Sequence, residues 1–131
     1  MEKRILLVDD DPAVRDSIAI VLEGAGFQVD QADQGATGMR LLRANEPDLI
    51  VTDILMPQKE GIETIREIRT LLPETPIIAI SGSVETRADY LKMAQSFGAS
   101  AVLAKPFDPV VLLDLVNQLL AAREAPAANP Q

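Results

Sequence analysis

Five short apolar runs, each followed by a longer segment of helical period, constrain this chain more than any other feature. The runs are Arg4–Val8, Gln28–Ala32, Leu49–Asp53, Ile77–Ser81 and Ala101–Ala104. Several are continuously apolar, as strands buried on both faces must be. Only Phe27-Gln28-Val29-Asp30 alternates, which assigns the second strand to a sheet edge. Helices are predicted from Pro12 to about Gly24, Gly35 to Ala44, Ile62 to Leu72, Glu85 to Phe97 and Pro109 to Ala122. Asp11 and Asp108 are suited to cap the first and last of these, Pro12 suits a first helical position, and Gly24, Gly26, Pro73 and Gly98 are stops. Such βα units, joined by right-handed crossovers, form an α/β fold: a doubly wound, five-stranded parallel sheet covered on both faces, most simply in the order 2-1-3-4-5. Its functional crevice is expected outside the carboxyl ends of the strands, where the order reverses between strands 1 and 3.

Length and composition narrow the chemistry. At 131 residues the chain suits one domain, read here as 1–123, with 124–131 as an Ala/Pro-rich tail or linker stub. With no Cys and no His, disulfides, thiolate and imidazole catalysis and most transition-metal sites are excluded. A net charge of −8 opposes nucleic acid and anionic membrane surfaces, and four aromatic residues (three Phe, one Tyr) offer little for stacking bases, so the expected partners are proteins. No apolar run is long enough for a membrane span or a signal-peptide core, and a cytoplasmic location is expected.

The strand ends carry the chemistry. Asp9 and Asp10 follow strand 1, Asp53 ends strand 3, Ser81 ends strand 4 and Lys105 follows strand 5. Strands 1 and 3 would be neighbours about 4.8 Å apart, so three carboxylates share one crevice with a single ammonium. Carboxylates so crowded repel one another unless a cation intervenes, and an all-oxygen set suits a hard ion such as Mg²⁺. Helix capping explains Asp11, but not an apolar strand that delivers Asp53 or another that delivers Lys105. Asp53 is the presented nucleophile: a carboxylate can attack phosphorus without a base, provided that metal and ammonium absorb the charge of the transferring group. Ser81 could donate a hydroxyl hydrogen bond to a phosphoryl oxygen and so report the modification; in Ser81-Gly82-Ser83 it could equally be a turn residue.

Through Leu7-Val8-Asp9-Asp10, Thr52-Asp53-Ile54-Leu55-Met56-Pro57, Ile80-Ser81 and Leu103-Ala104-Lys105-Pro106-Phe107, the chain resembles the receiver domains of two-component response regulators. The likeness runs from about Lys3 to Ala122 and is closest to the single-domain, chemotaxis-receiver kind, with its flavodoxin-like fold. It implies that Asp53 takes a phosphoryl group from a histidine kinase or phosphotransfer protein and that the product switches binding to a downstream protein. It further implies that Asp10, Asp53 and the backbone carbonyl of Leu55 bind Mg²⁺, that Asp9 holds a metal-bound water, and that Lys105 and Ser81 contact the phosphoryl group. Such a chain is not an enzyme in the usual sense; it assists its own phosphorylation and dephosphorylation. A cis bond before Pro106, common in the family, would aim Lys105 at the site.

Two positions depart from the family. The switch aromatic is replaced by Val102, so the output step cannot use a swinging ring, and the segment from Ser81 to Lys105 is about two residues long for the family, around Ser83 to Arg87. Asp9-Asp10-Asp11 also contains the D-x-D spacing of haloacid-dehalogenase phosphatases, but those enzymes need a late acidic pair where this chain offers Lys105. A flavodoxin-like cofactor domain would need phosphate donors where three acids stand. Met1 close to strand 1, and the lack of a basic DNA-reading helix after Ala122, favour a free-standing protein over a fragment of a larger hybrid kinase or regulator. In the last helix Val111, Leu112, Leu113, Leu115, Val116, Leu119 and Leu120 cover an arc of roughly 200°, about twice what packing on a sheet requires. Either the whole arc is core, or one flank, Leu113 with Leu120 or Val111 with Leu115, forms a partner or homodimer face.

Overall fold

A computed structural model describes residues 2–54, 60–82, 92 and 98–124. Its elements are β1 (Arg4–Val8), α1 (Pro12–Gly24), β2 (Gln28–Ala32), α2 (Gly35–Ala44), β3 (Leu49–Asp53), α3 (Glu60–Leu71), β4 (Ile77–Ser81), β5 (Ala101–Ala104) and α4 (Pro109–Glu124). All five strands fall where the apolar runs place them. Helix α3 starts at Glu60, two residues before the expected Ile62, and ends at Leu71 rather than Leu72, while α4 runs on to Glu124 past the expected Ala122. The helix expected over Glu85–Phe97, Ser83–Arg87 and the tail after Glu124 lie outside the described residues.

The sheet is parallel with the order β2-β1-β3-β4-β5, so β1 sits between β2 and β3 and the order reverses there. Strand side chains alternate faces, and here both faces are apolar. Leu6, Val8 and Ile50 pack with Met39, Leu42, Ile65 and Ile68 under α2 and α3. Ile5, Leu7, Val51 and Ile80 pack with Ile18, Leu22, Leu112, Val116 and Leu120 under α1 and α4. Truncating a fully buried member such as Ile50 or Leu22 to Ala would cost about 2–5 kcal/mol, the lost burial plus the cavity. Edge strand β2 is only partly covered, as its alternation requires.

Local signals explain the helix ends. The Asp11 carboxylate accepts from the amides of Ala13 (2.9 Å) and Val14 (3.4 Å), with Pro12 as the first helical residue, which needs no amide partner. After α1 the chain turns through Gly26 at φ +98°, a conformation that a side chain disfavours. In α4 the broad apolar arc divides: Leu112, Val116 and Leu120 are core, Leu113, Leu115 and Leu119 pack partly against it, and Val111 is 50% exposed. The Leu113–Leu120 flank therefore fails as a free face, because Leu120 points into the α1 side of the sheet. The far end of α4 is tied to the amino ends of the strands by an ion pair of Glu124 with Lys3 and by an Arg123 hydrogen bond to the Asp48 carbonyl at 2.7 Å. Among the described residues no helix is long and apolar enough to cross a membrane.

Candidate functional site

The carboxyl ends of β1, β3, β4 and β5 bring together the residues picked from the sequence. Asp9 continues β1, its amide bonded to the Ala32 carbonyl at 3.0 Å. Asp53 closes β3 opposite Ile80, and Ser81 closes β4 opposite Ala104. The Lys105 amide donates to the Ser81 carbonyl at 2.7 Å, so β5 hands the lysine into the crevice beside Ser81. The Lys105–Pro106 peptide is cis, as the resemblance implies. Asp9, Asp53 and Ser81 are buried, whereas Asp10 is exposed at the rim.

Lys105 bridges two of the acids. Its Nζ donates to Asp53 Oδ2 at 2.9 Å and lies 3.1 Å from Asp9 Oδ2. The other Asp9 oxygen, Oδ1, accepts from the Asp11 amide at 2.9 Å. Burial pushes the Asp9 carboxyl above its ordinary value; the Asp11 amide and the Lys105 ammonium oppose this, and the charge of Asp53 adds to it. Burial works against the Lys105 ammonium, but its hydrogen bond to Asp53 and the charges of Asp53 and Asp9 outweigh it, and its pKa is raised.

One carboxylate oxygen from each of Asp9, Asp10 and Asp53 lies within 4.8 Å of the others. Asp9 Oδ2 is buried without a hydrogen bond, its contact with Lys105 being an ion pair that lacks hydrogen-bond alignment. Three hard oxygen donors, one of them buried and incompletely satisfied, fit a hard divalent cation such as Mg²⁺. Leu55, whose backbone carbonyl the resemblance places beside Asp10 and Asp53 as a ligand, lies outside the described residues.

A family model for the response regulator receiver domain matches residues 5–117. The chain belongs to the response regulator receiver domain family. The response regulator MprA of Mycobacterium sp. (strain KMS) is 36% identical over 132 aligned positions, covering 99% of this chain and 55% of that protein. The response regulator Rre1 of Synechocystis is 36% identical over 124 positions, covering 92% and 53%. The chain thus spans about half the length of these curated relatives. Among solved structures, a CheY-like receiver domain protein from Methanospirillum hungatei JF-1 superposes with a TM-score of 0.86 at 31% identity, over 95% of this chain and 98% of that one. NtrX from Brucella abortus gives 0.87 at 26% identity, over 95% of this chain and 28% of its own. Membership sets aside the haloacid-dehalogenase and flavin-domain alternatives. It also gives meaning to the departure at Val102, which in this receiver is a partly buried packing residue against the α3 side of the core.

Sequence reasoning passed over two arginines. Arg69 near the end of α3 donates to the carbonyls of Leu72, Pro73, Thr75 and Gly98 at 2.7–3.2 Å, tying the helix end to the segment before β5. Gly98 sits at φ +113°, where a side chain is strained, and a Cβ there would press on Arg69 Nε at 3.1 Å. Arg15 in the first turn of α1 donates from Nη1 to the Asp9 carbonyl at 2.7 Å. Its one sequence signal is a cation beside a helix N-terminus, where the macrodipole disfavours it.

Proposed function

We propose that this receiver accepts a phosphoryl group on Asp53 from a phosphohistidine of a partner histidine kinase or phosphotransfer protein, with Mg²⁺ bound, and that the modified form changes which protein it binds. The observation that carries this reading is the buried Asp53 carboxylate, held at 2.9 Å by Lys105 beside the carboxylates of Asp9 and Asp10.

Lys105 orients the nucleophile through Oδ2 and keeps a positive charge where the phosphoryl group arrives. An Asp53 oxygen bonds to phosphorus as the P–N bond to the donor imidazole breaks. The imidazole leaves with the electron pair and takes a proton, and Asp53 becomes an acyl phosphate. The Ser81 hydroxyl, at the end of the neighbouring strand, donates to a phosphoryl oxygen and draws β4 toward the modified site. Asp10, Asp53 and the Leu55 carbonyl would hold Mg²⁺, with Asp9 behind them through a water; when bound, the ion offsets the charge of the phosphoryl oxygens against the acids. The chain is then a phosphoacceptor switch that assists its own modification, not an enzyme that turns over a separate substrate.

Incubation with a small acyl phosphate and Mg²⁺ tests this by intact-mass measurement. One added phosphoryl group is expected, lost with chelator and lost in Asp53→Asn. Equal labelling of the Asn variant would overturn the assignment.

A further inference from the structure

Arg15 has no place in the chemistry above, yet it makes one of the shortest side-chain contacts around the site, from Nη1 to the Asp9 carbonyl at 2.7 Å. We infer that Arg15 is a positioning residue for the acidic cluster: by holding the Asp9 carbonyl it sets the plane of the Asp9–Asp10 peptide, and so the direction in which both carboxylates face a divalent cation. This rests on the metal reading of the site given above.

The Asp9 carbonyl lies in the planar unit that runs from the Asp9 Cα to the Asp10 Cα. Holding its oxygen restrains rotation of that plane, and with it ψ of Asp9 and φ of Asp10, the torsions that set where the two side chains point relative to one another. Asp9 is already held at its other atoms, its amide on the Ala32 carbonyl at 3.0 Å and its Oδ1 on the Asp11 amide at 2.9 Å. The Asp9 carbonyl follows the last residue of β1 and precedes the first turn of α1, so the sheet ladder ends there and helix bonds have yet to start. Arg15 fills that gap. Its own backbone is fixed, its amide donating to the Asp11 carbonyl at 2.9 Å, and helical side chains lean toward the N-terminus, which brings the guanidinium back over the loop. A cation there works against the helix macrodipole, so the contact is kept for something other than helix stability.

Electrostatics and positioning predict opposite signs. Removing a nearby positive charge strengthens the binding of a divalent cation, whereas loosening the Asp9–Asp10 peptide weakens it. The experiment is calorimetric titration of Mg²⁺ into the full chain and into Arg15→Met and Arg15→Lys, together with amide resonances of Asp10 and Asp11 recorded in chelator. We expect Arg15→Met to bind Mg²⁺ about tenfold more weakly, as for other groups that orient metal ligands from behind. Arg15→Lys should recover part of the loss, and the Asp10 amide of the Met variant should shift or broaden without metal. Binding as tight as wild type or tighter in Arg15→Met, or an unmoved Asp10 amide, overturns the inference. A wild-type chain that takes up no Mg²⁺ overturns the metal reading instead, and the chelator spectra then decide the positioning role by themselves.

Discussion

Replacing Lys105 with Met removes the ammonium that lies between two buried acids and keeps most of the apolar length of the side chain. Its Nζ lies 2.9 Å from Asp53 Oδ2 and 3.1 Å from Asp9 Oδ2, and the side chains of Lys105, Asp53 and Asp9 are 21%, 5% and 0% exposed. Removing one member of a buried ion pair costs about 3–5 kcal/mol, since the remaining charge is left without compensation. Two features lower this here: water reaches Lys105, and Asp9, already raised by burial, can take up a proton. A loss of about 2–3 kcal/mol at pH 7 in chelator remains, or about 1.5–2 M in urea midpoint for a chain of this size. The pH dependence follows from the raised pKa of Lys105, since the folded state holds that proton more tightly than the unfolded chain. Its contribution is complete below the ordinary value of 10.5 and disappears as pH rises through the folded value. The raised Asp9 works in the acid range: the deficit of Lys105→Met shrinks as pH falls through the folded Asp9 value toward 3.8, because a neutral Asp9 needs no partner. Mg²⁺ and the ammonium offset the charge of the same acidic cluster and repel each other, so the variant should bind Mg²⁺ more tightly and recover most of its stability at saturating metal. Urea unfolding followed by circular dichroism, with chelator and with millimolar Mg²⁺, reads both effects. An unchanged midpoint in chelator, or a gap that Mg²⁺ fails to narrow, would refute this account of the site.

Arg69→Met should lower stability by about 2–3 kcal/mol through its lost charged hydrogen bonds while leaving phosphorylation at Asp53 intact; thermal melts and mass analysis check the two halves. Val111→Glu should shift stability by less than about 0.5 kcal/mol, because Val111 is 50% exposed, whereas Leu120→Glu should cost several kcal/mol by burying a charge. Light scattering of Val111→Glu with and without beryllofluoride then tests the remaining partner flank of α4, for which a strict monomer in both states is the negative result. The side chain of Leu55, two residues past Asp53, offers a water neither donor nor acceptor, so Leu55→Asn should speed loss of the phosphoryl group by about tenfold, and an unchanged or slower decay rate removes that side chain from the chemistry.

The order of strands and the place of the site were legible in the chain itself, because both follow from local pattern and from general rules of handedness. Leu49-Ile50-Val51-Thr52 reads as a strand buried on both faces because it is short, apolar and rich in β-branched residues, and the residue ending such a strand in a parallel sheet, Asp53, stands at the crevice. Asp11-Pro12 marks a helix start through contacts only two and three residues away, which is why α1 begins where its sequence says. What needed the tertiary structure was which atoms meet across long separations. Lys105 shares itself between Asp9 and Asp53, and Arg69 reaches Gly98 across 29 positions; such bonds depend on strand register and helix placement, which residue types alone do not encode. The apolar arc of α4 shows the same limit. Leu120 and Val111 are equivalent in hydropathy, and only the packing of α4 beside α1 made the first core and left the second in water. Arg15 is the sharpest case, since its carbonyl partner is a backbone atom, and backbone acceptors leave no mark in a sequence.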